Sequence, residues 1–108
     1  PMDVDLVFDV RFLPNPYYIE ELREQTGDDA PVYDYVMSFE QTTEFIRHLK
    51  SFLDYVFIQY KNEKKNHLTV GIGCTGGHHR SVSVTNWLYS HYKDQYHCYK
   101  SHRDKKVG

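Results

Sequence analysis

Ten residues, Ile72-Gly73-Cys74-Thr75-Gly76-Gly77-His78-His79-Arg80-Ser81, gather a thiol, two hydroxyls, two imidazoles and a guanidinium around three glycines. Upstream, Leu68-Thr69-Val70-Gly71-Ile72 is a short β-branched run with the character of a buried strand; downstream, Val82, Thr85, Leu88 and Tyr89 recur at helical spacing. The spacing predicts a strand-to-helix turn whose glycines let the backbone amides at the helix start converge on one point. Unpaired N–H groups and the positive end of a helix dipole favour negative charge, and Arg80 adds a fork of donors suited to phosphate or carboxylate oxygens. Thr75, Gly76, Gly77, His79, Arg80 and Ser81 are therefore the expected cradle of a phosphate group. Neither Gly-x-x-x-x-Gly-Lys-Ser/Thr nor Gly-x-Gly-x-x-Gly can be laid over these residues, so an ordinary mononucleotide site is not expected.

Asp9 and Arg11 lie two apart in an alternating run, Val4 to Phe12, that predicts the first strand. They share a face near its C-terminal end, where open α/β sheets place ligands. An ion pair with each other or with Arg80 is the alternative to a ligand role. Leu13-Pro14-Asn15-Pro16 cannot continue a sheet, and its prolines set an extended turn that leaves the Asn15 side chain able to hydrogen-bond. The seven histidines do not form a zinc pattern: His78 and His79 point apart, and His91, His97 and His102 lack nearby Cys or carboxylate partners. No metal is expected, and His79 and His102 are read as hydrogen-bond donors to an anion whose affinity rises as pH falls toward 6.

These groups need positioning elements. The 108 residues are one domain's length, and 40% apolar with 16% aromatic content predicts ordinary globular folding. A short helix is expected over 17–25, a turn over Thr26 to Pro31 whose acidic pair is solvated, and a main helix over 39–60, about 33 Å long. Ser38 and Gln41 form a capping box for it, and Phe45, Leu49, Phe52, Val56, Phe57 and Tyr60 form its apolar stripe, with a surplus able to pack on a second copy. Another helix is expected over 77–92, apolar on more than one side, and a last strand at His97 to Ser101. The fold class is thus α/β, a small mostly parallel sheet with flanking helices and an anion site at a strand-to-helix turn. No membrane span or signal-like start is present, and Cys74 and Cys98 make no disulfide framework, so the expected location is cytoplasmic. A net charge of −2 leaves any nucleic-acid binding to a local basic patch.

Gly73-Cys74-Thr75-Gly76-Gly77-x-His79-Arg80-Ser81, with Asp9-Val10-Arg11-Phe12-Leu13-Pro14-Asn15-Pro16 before it and His102-Arg103-Asp104 after it, closely resembles the C-terminal domain of the RapZ family over nearly the whole chain. The resemblance implies one domain, residues 1–108, from a protein with an N-terminal P-loop domain, the part expected to take ATP or GTP; no cofactor is expected in this domain. It further implies a non-enzymatic regulatory adaptor that senses a phosphorylated amino sugar such as glucosamine-6-phosphate and directs small regulatory RNA to a ribonuclease, as a homo-oligomer. The ligand set would be the cradle with Asp9, Arg11, Asn15 and His102, and the RNA set Lys100, Arg103, Lys105 and Lys106 with exposed aromatics. Tyr17-Tyr18 stands where many relatives place a His.

Cys74 to Arg80 followed by Ser81 also matches Cys-x5-Arg-Ser/Thr, the signature of cysteine-dependent phosphatases, in which a thiolate attacks phosphorus. Here Gly73 stands where many of those enzymes carry a His, and no loop evidently delivers an acid. Three classes follow: a phosphosugar-sensing, RNA-binding regulator, a phosphatase, and a structural self-association module.

Overall fold

Two β-rich runs, Leu6–Asp9 (β1) and Val70–Gly73 (β2), pair in parallel, with Leu6 opposite Val70 and Asp9 opposite Gly73. The computed structural model describes residues 4–61, 67–74 and 78–101. Among these, the helices are Ala30–Met37 (α1), Glu40–Tyr60 (α2) and Arg80–Tyr92 (α3), and Pro16–Tyr18 forms one 3-10 turn. Parallel strands cannot be joined by a tight turn, so the chain crosses from β1 to β2 through α1 and α2. The architecture is α/β, a small parallel sheet with flanking helices, and its sheet has two strands among the described residues.

Strand alternation sorts the side chains. Leu6, Phe8, Val70 and Ile72 pack against the core, while Val7, 71% exposed, and Asp9 face the other way. Val10, Leu13 and Leu22 from the first loop, Val32 and Val36 from α1, Ile46, Leu49 and Leu53 from α2, and Val84 and Tyr92 from α3 complete the core. Burial of these apolar faces holds the helices in place.

Helix α2 has the expected length but a different buried face. Thr42, Ile46, Leu49 and Leu53 form its inward stripe at spacings of four, three and four. Of the expected stripe only Leu49 belongs to it; Phe45 and Phe57 lie at the edge of the core, and Phe52 is 46% exposed, its ring edge-on to Phe8. Branched aliphatics fill the narrow space under the sheet, and the larger rings flank it. The capping box is also absent. Phe39 is the N-cap, Ser38 Oγ donates to the Tyr35 carbonyl at 2.9 Å, and Gln41 Nε2 donates to the Phe12 carbonyl at 3.0 Å. Gln41 thus ties α2 to the loop after β1.

Three other expectations are corrected. Residues 17–25 are not a helix: beyond the 3-10 turn the chain forms turns, with Leu22 N–H on the Ile19 carbonyl and Gln25 N–H on that of Leu22. Pro31 does not end a turn but lies in the first turn of α1, where its missing N–H costs nothing and Val32 and Val36 face the core one helical turn apart. His97 to Ser101 is not a strand, since Tyr99 is 87% exposed and Lys100 reaches sideways to α3. Helix α3 is apolar on several sides as expected, with Val82 and Val84 both at most 1% exposed. It is locked to α2 by Tyr92, whose hydroxyl donates to Asp54 Oδ1 at 2.7 Å and whose ring stacks edge-on with Phe57. Among the described residues no helix is long and apolar enough to cross a membrane.

Candidate functional site

The strand β1 stops at Asp9 rather than Phe12. Val10 N–H still reaches the Gly73 carbonyl at 2.8 Å, but Leu13 N–H closes a turn onto the Val10 carbonyl, which takes Arg11 off the sheet. Arg11 therefore folds back on Asp9. Its Nη2 lies 2.7 Å from Asp9 Oδ2, its Nε 2.8 and 3.0 Å from the two carboxylate oxygens, and its backbone N–H 2.9 Å from Oδ1. These hydrogen bonds hold the Asp9 carboxyl below the usual carboxylate range, and the Arg80 charge adds to the effect; reciprocally, the Arg11 guanidinium is held more firmly protonated. Both side chains are more than half exposed, so the pair adds little to stability and leaves its polar edge open. With Phe12 it lines a shallow depression in the surface. Asn15 is engaged by its own loop, its Oδ1 accepting Tyr17 N–H at 3.0 Å as the cap of the 3-10 turn.

Seventy residues later the start of α3 is brought against this loop. Arg80 is the first residue of α3 and only 4% exposed. Its Nη1 donates to the carbonyls of Arg11 and Leu13, the latter at 3.3 Å, while its buried Nε has no hydrogen-bond partner among the described residues. The guanidinium thus forms the wall between the two loops. His79, the N-cap, offers no side-chain acceptor to the helix, so the first-turn amides are left to other groups; Ser81 N–H is directed to Cys74 Sγ at 3.2 Å. The thiol at the end of β2 accordingly occupies one of the positions at which a helix start attracts negative charge.

His79 points inward. It is 4% exposed, and its Nε2 lies 3.1 Å from the Arg23 carbonyl, an acceptor that requires the proton on Nε2. Burial first, then the neighbouring His78, whose ring centre is 4.0 Å away, push its pKa below the ordinary histidine value, against the opposing pull of the Arg23, Leu22 and Gln25 carbonyls. His79 fastens the turn to the loop beneath it.

Of the expected site, Asp9, Arg11 and Asn15 lie at the end of β1 and in the loop after it, His79, Arg80 and Ser81 lie at the start of α3, and Arg80 joins the two. Thr75, Gly76, Gly77 and His102 lie outside the described residues, as do Arg103, Lys105 and Lys106 of the expected RNA set. Lys100 is described: its Nζ donates to Asn86 Oδ1 at 2.7 Å and sits 4.9 Å over the Tyr89 ring. The acidic pair of the 26–29 turn is not simply solvated, since Asp28 Oδ1 accepts from Asn86 and Asp29 Oδ2 from Thr26 N–H. Among the described residues no three His, Cys, Asp or Glu side chains are grouped to hold a metal ion. Sequence reasoning passed over Arg23, Gly27 and Asn86, which support the turn. Asn86 carried a signal: a weak helix former inside a helix is often retained for its side-chain hydrogen bonds.

The chain is 51% identical over 104 residues to a nucleotide-binding protein of Bacillus pumilus (strain SAFR-032), a match covering 96% of this chain and 35% of the relative. It is 52% identical over 105 residues to a nucleotide-binding protein of Clostridium novyi (strain NT), covering 96% and 36%. A Shouchella clausii (strain KSM-K16) nucleotide-binding protein is 48% identical over 104 residues at the same coverage as the first. The chain therefore spans about a third of the length of the curated relatives it matches. The model of the RapZ C-terminal domain matches residues 1–106, and the chain belongs to that family.

Proposed function

We propose that this chain is a regulatory, non-catalytic domain that binds a phosphorylated amino sugar, glucosamine-6-phosphate in the first instance, at the start of α3. The observation that carries the proposal is the placement of Arg80. A buried guanidinium at the first position of a helix holds the loop after β1 against that helix start and keeps one N–H without a partner among the described residues. Helix amides and a fixed positive charge on one side suit a phosphate group, and the Asp9 carboxylate on the other suits an ammonium. The family match supports a regulatory role, and the relatives' names attach nucleotide binding to proteins about three times as long.

RNA binding through Lys100, Arg103, Lys105 and Lys106, within a longer adaptor acting in the cytoplasm as a homo-oligomer, extends the same proposal. The ATP or GTP of that longer protein would belong to its other domain. The phosphatase alternative has one favourable observation, the Ser81 N–H directed at Cys74 Sγ. Against it, Gly73 stands where many of those enzymes carry a His.

Isothermal titration with glucosamine-6-phosphate, glucosamine and inorganic phosphate tests the proposal, with free phosphate assayed in the same samples. Binding that requires the phosphate and is strengthened by the amine, without hydrolysis, is expected. Heat of binding to none of the three would overturn it.

A further inference from the structure

We infer that Gly27 and Asn86 are positioning residues of the α3 start: they pin the 23–28 loop beneath the turn so that its amides are set in place before any anion arrives. The inference rests on the phosphate-site proposal above and names residues that belong to none of its motifs.

Gly27 is the contact point. It is buried, and its N–H donates to the His78 carbonyl at 2.8 Å. A Cβ at this position would lie 2.5 Å from Ser83 N and 2.8 Å from both the His79 carbonyl oxygen and Ser83 Oγ. Ordinary contact begins at 3.4 Å, and two of these three atoms are backbone of the first turn of α3, so neither can swing aside. The third, Ser83 Oγ, is itself tied to the His79 carbonyl at 2.8 Å. Only glycine lets the loop approach this closely.

Asn86 is the fastener. Its Nδ2 donates both hydrogens outward from α3, to the Gly27 carbonyl at 3.1 Å and to Asp28 Oδ1 at 2.8 Å. Its Oδ1 accepts from Lys100 Nζ at 2.7 Å, which fixes the orientation of the amide, since a flipped group would set donor against ammonium and acceptor against two oxygens. The His79 ring adds the third tie, from the turn down to the Arg23 carbonyl. Three connections from one loop thus meet the two residues before α3 and its first two turns. A site built from backbone amides gains affinity from such rigidity, because freely moving amides must be ordered by the ligand at the ligand's expense.

The test compares wild type with Gly27→Ala, Asn86→Ala and Asn86→Asp. Asn86→Asp keeps an acceptor for Lys100 while removing both donors and placing a carboxylate against Asp28. Glucosamine-6-phosphate and inorganic phosphate are titrated at a temperature where far-ultraviolet circular dichroism shows each variant folded, and the His79 ring is followed by NMR across pH without ligand. The expected result is a loss of roughly tenfold or more in affinity for both ligands in each variant, with the His79 titration moving up toward an ordinary histidine. A variant that was merely less stable, yet folded, would bind as wild type does. Should Gly27→Ala fail to fold, the two Asn86 variants carry the test. Undiminished affinity in variants whose His79 titration has moved would overturn the positioning role and leave the phosphate site standing. Absence of binding in the wild type would instead remove the phosphate site, and the positioning role with it.

Discussion

Arg80 Nη1 donates to the Leu13 carbonyl at 3.3 Å across 67 positions of sequence, so one side chain joins the loop after the first strand to the helix after the second. Arg11 and Leu13 lie outside regular structure, and the buried guanidinium at the first position of α3 makes their loop and the helix start one surface. Both bonds come from the one Nη1, whose two hydrogens serve the two carbonyls.

Replacing Arg80 should therefore cost both fold and binding. Arg80→Ala leaves the Arg11 and Leu13 carbonyls without their buried donor and should lower stability by roughly 2–3 kcal/mol. Arg80→Lys, which keeps donors for the carbonyls on a side chain one atom shorter, should fall between wild type and Ala. Urea denaturation monitored by Trp87 fluorescence measures both, and a stability change under 0.5 kcal/mol for Arg80→Ala, about the size of a surface substitution, would show that the contact does not bind the loops.

The acid side of the stability profile should carry the mark of His79. Burial holds its folded pKa below that of the unfolded chain, so the unfolded chain takes up the proton first. The contribution of the neutral, buried ring is fully present above about pH 6.5 and is lost as pH falls below that value toward the depressed folded one. Urea midpoints should drop between pH 7.5 and 5.5, and NMR should find His79 still neutral where exposed histidines are protonated. A His79 titration at or above the ordinary value would contradict the inward placement. The rise in anion affinity expected from this residue between pH 8 and 6 is accordingly displaced to more acid conditions.

Tyr92 offers a control remote from the α3 start. Its hydroxyl on Asp54 holds that carboxyl below its usual range, while burial and the same contact push the phenol well above its own. Tyr92→Phe should cost about 1 kcal/mol and leave phosphosugar affinity unchanged. It should also raise the Asp54 pKa, so that the stability lost on acidification through the carboxylate range becomes smaller than in wild type.

Cys74→Ser addresses catalysis. Wild type and variant are expected to release no phosphate from p-nitrophenyl phosphate and to bind phosphosugar alike, since the Ser81 N–H can donate to a hydroxyl as it does to the thiol. Hydrolysis by wild type that the variant lacks would reinstate the phosphatase.

The strand-to-helix turn was legible because its signals are local: β-branched residues, then glycines, then helical periodicity from Val82 onward. The long helix was legible for the same reason. What escaped depended on contacts made across the chain. Phe52 and Leu53 are equally apolar, and only the packing under Phe8 decides that the leucine goes in and the ring lies at the side. Pro31 marks a turn or a helix start with equal force until Val32 and Val36 find the core. The imidazoles at 78 and 79 do not point apart as expected: their ring centres are 4.0 Å apart and both Nε2 atoms approach the Arg23 carbonyl, and Gly27 resembles any loop glycine until Ser83 is seen against it. Arg80 was identified as a site residue, whereas its two carbonyl partners, 67 and 69 residues away, could be found only in three dimensions.

The most direct measurement is an amide NMR titration of the domain with glucosamine-6-phosphate, run beside glucosamine at the same concentrations. The proposed site requires the largest shifts at the Arg80, Ser81 and Val82 amides and at Asp9 and Arg11, produced by the phosphorylated sugar and not by glucosamine. Shifts confined to other surfaces, or equal shifts with both sugars, would contradict a phosphate site at the start of α3.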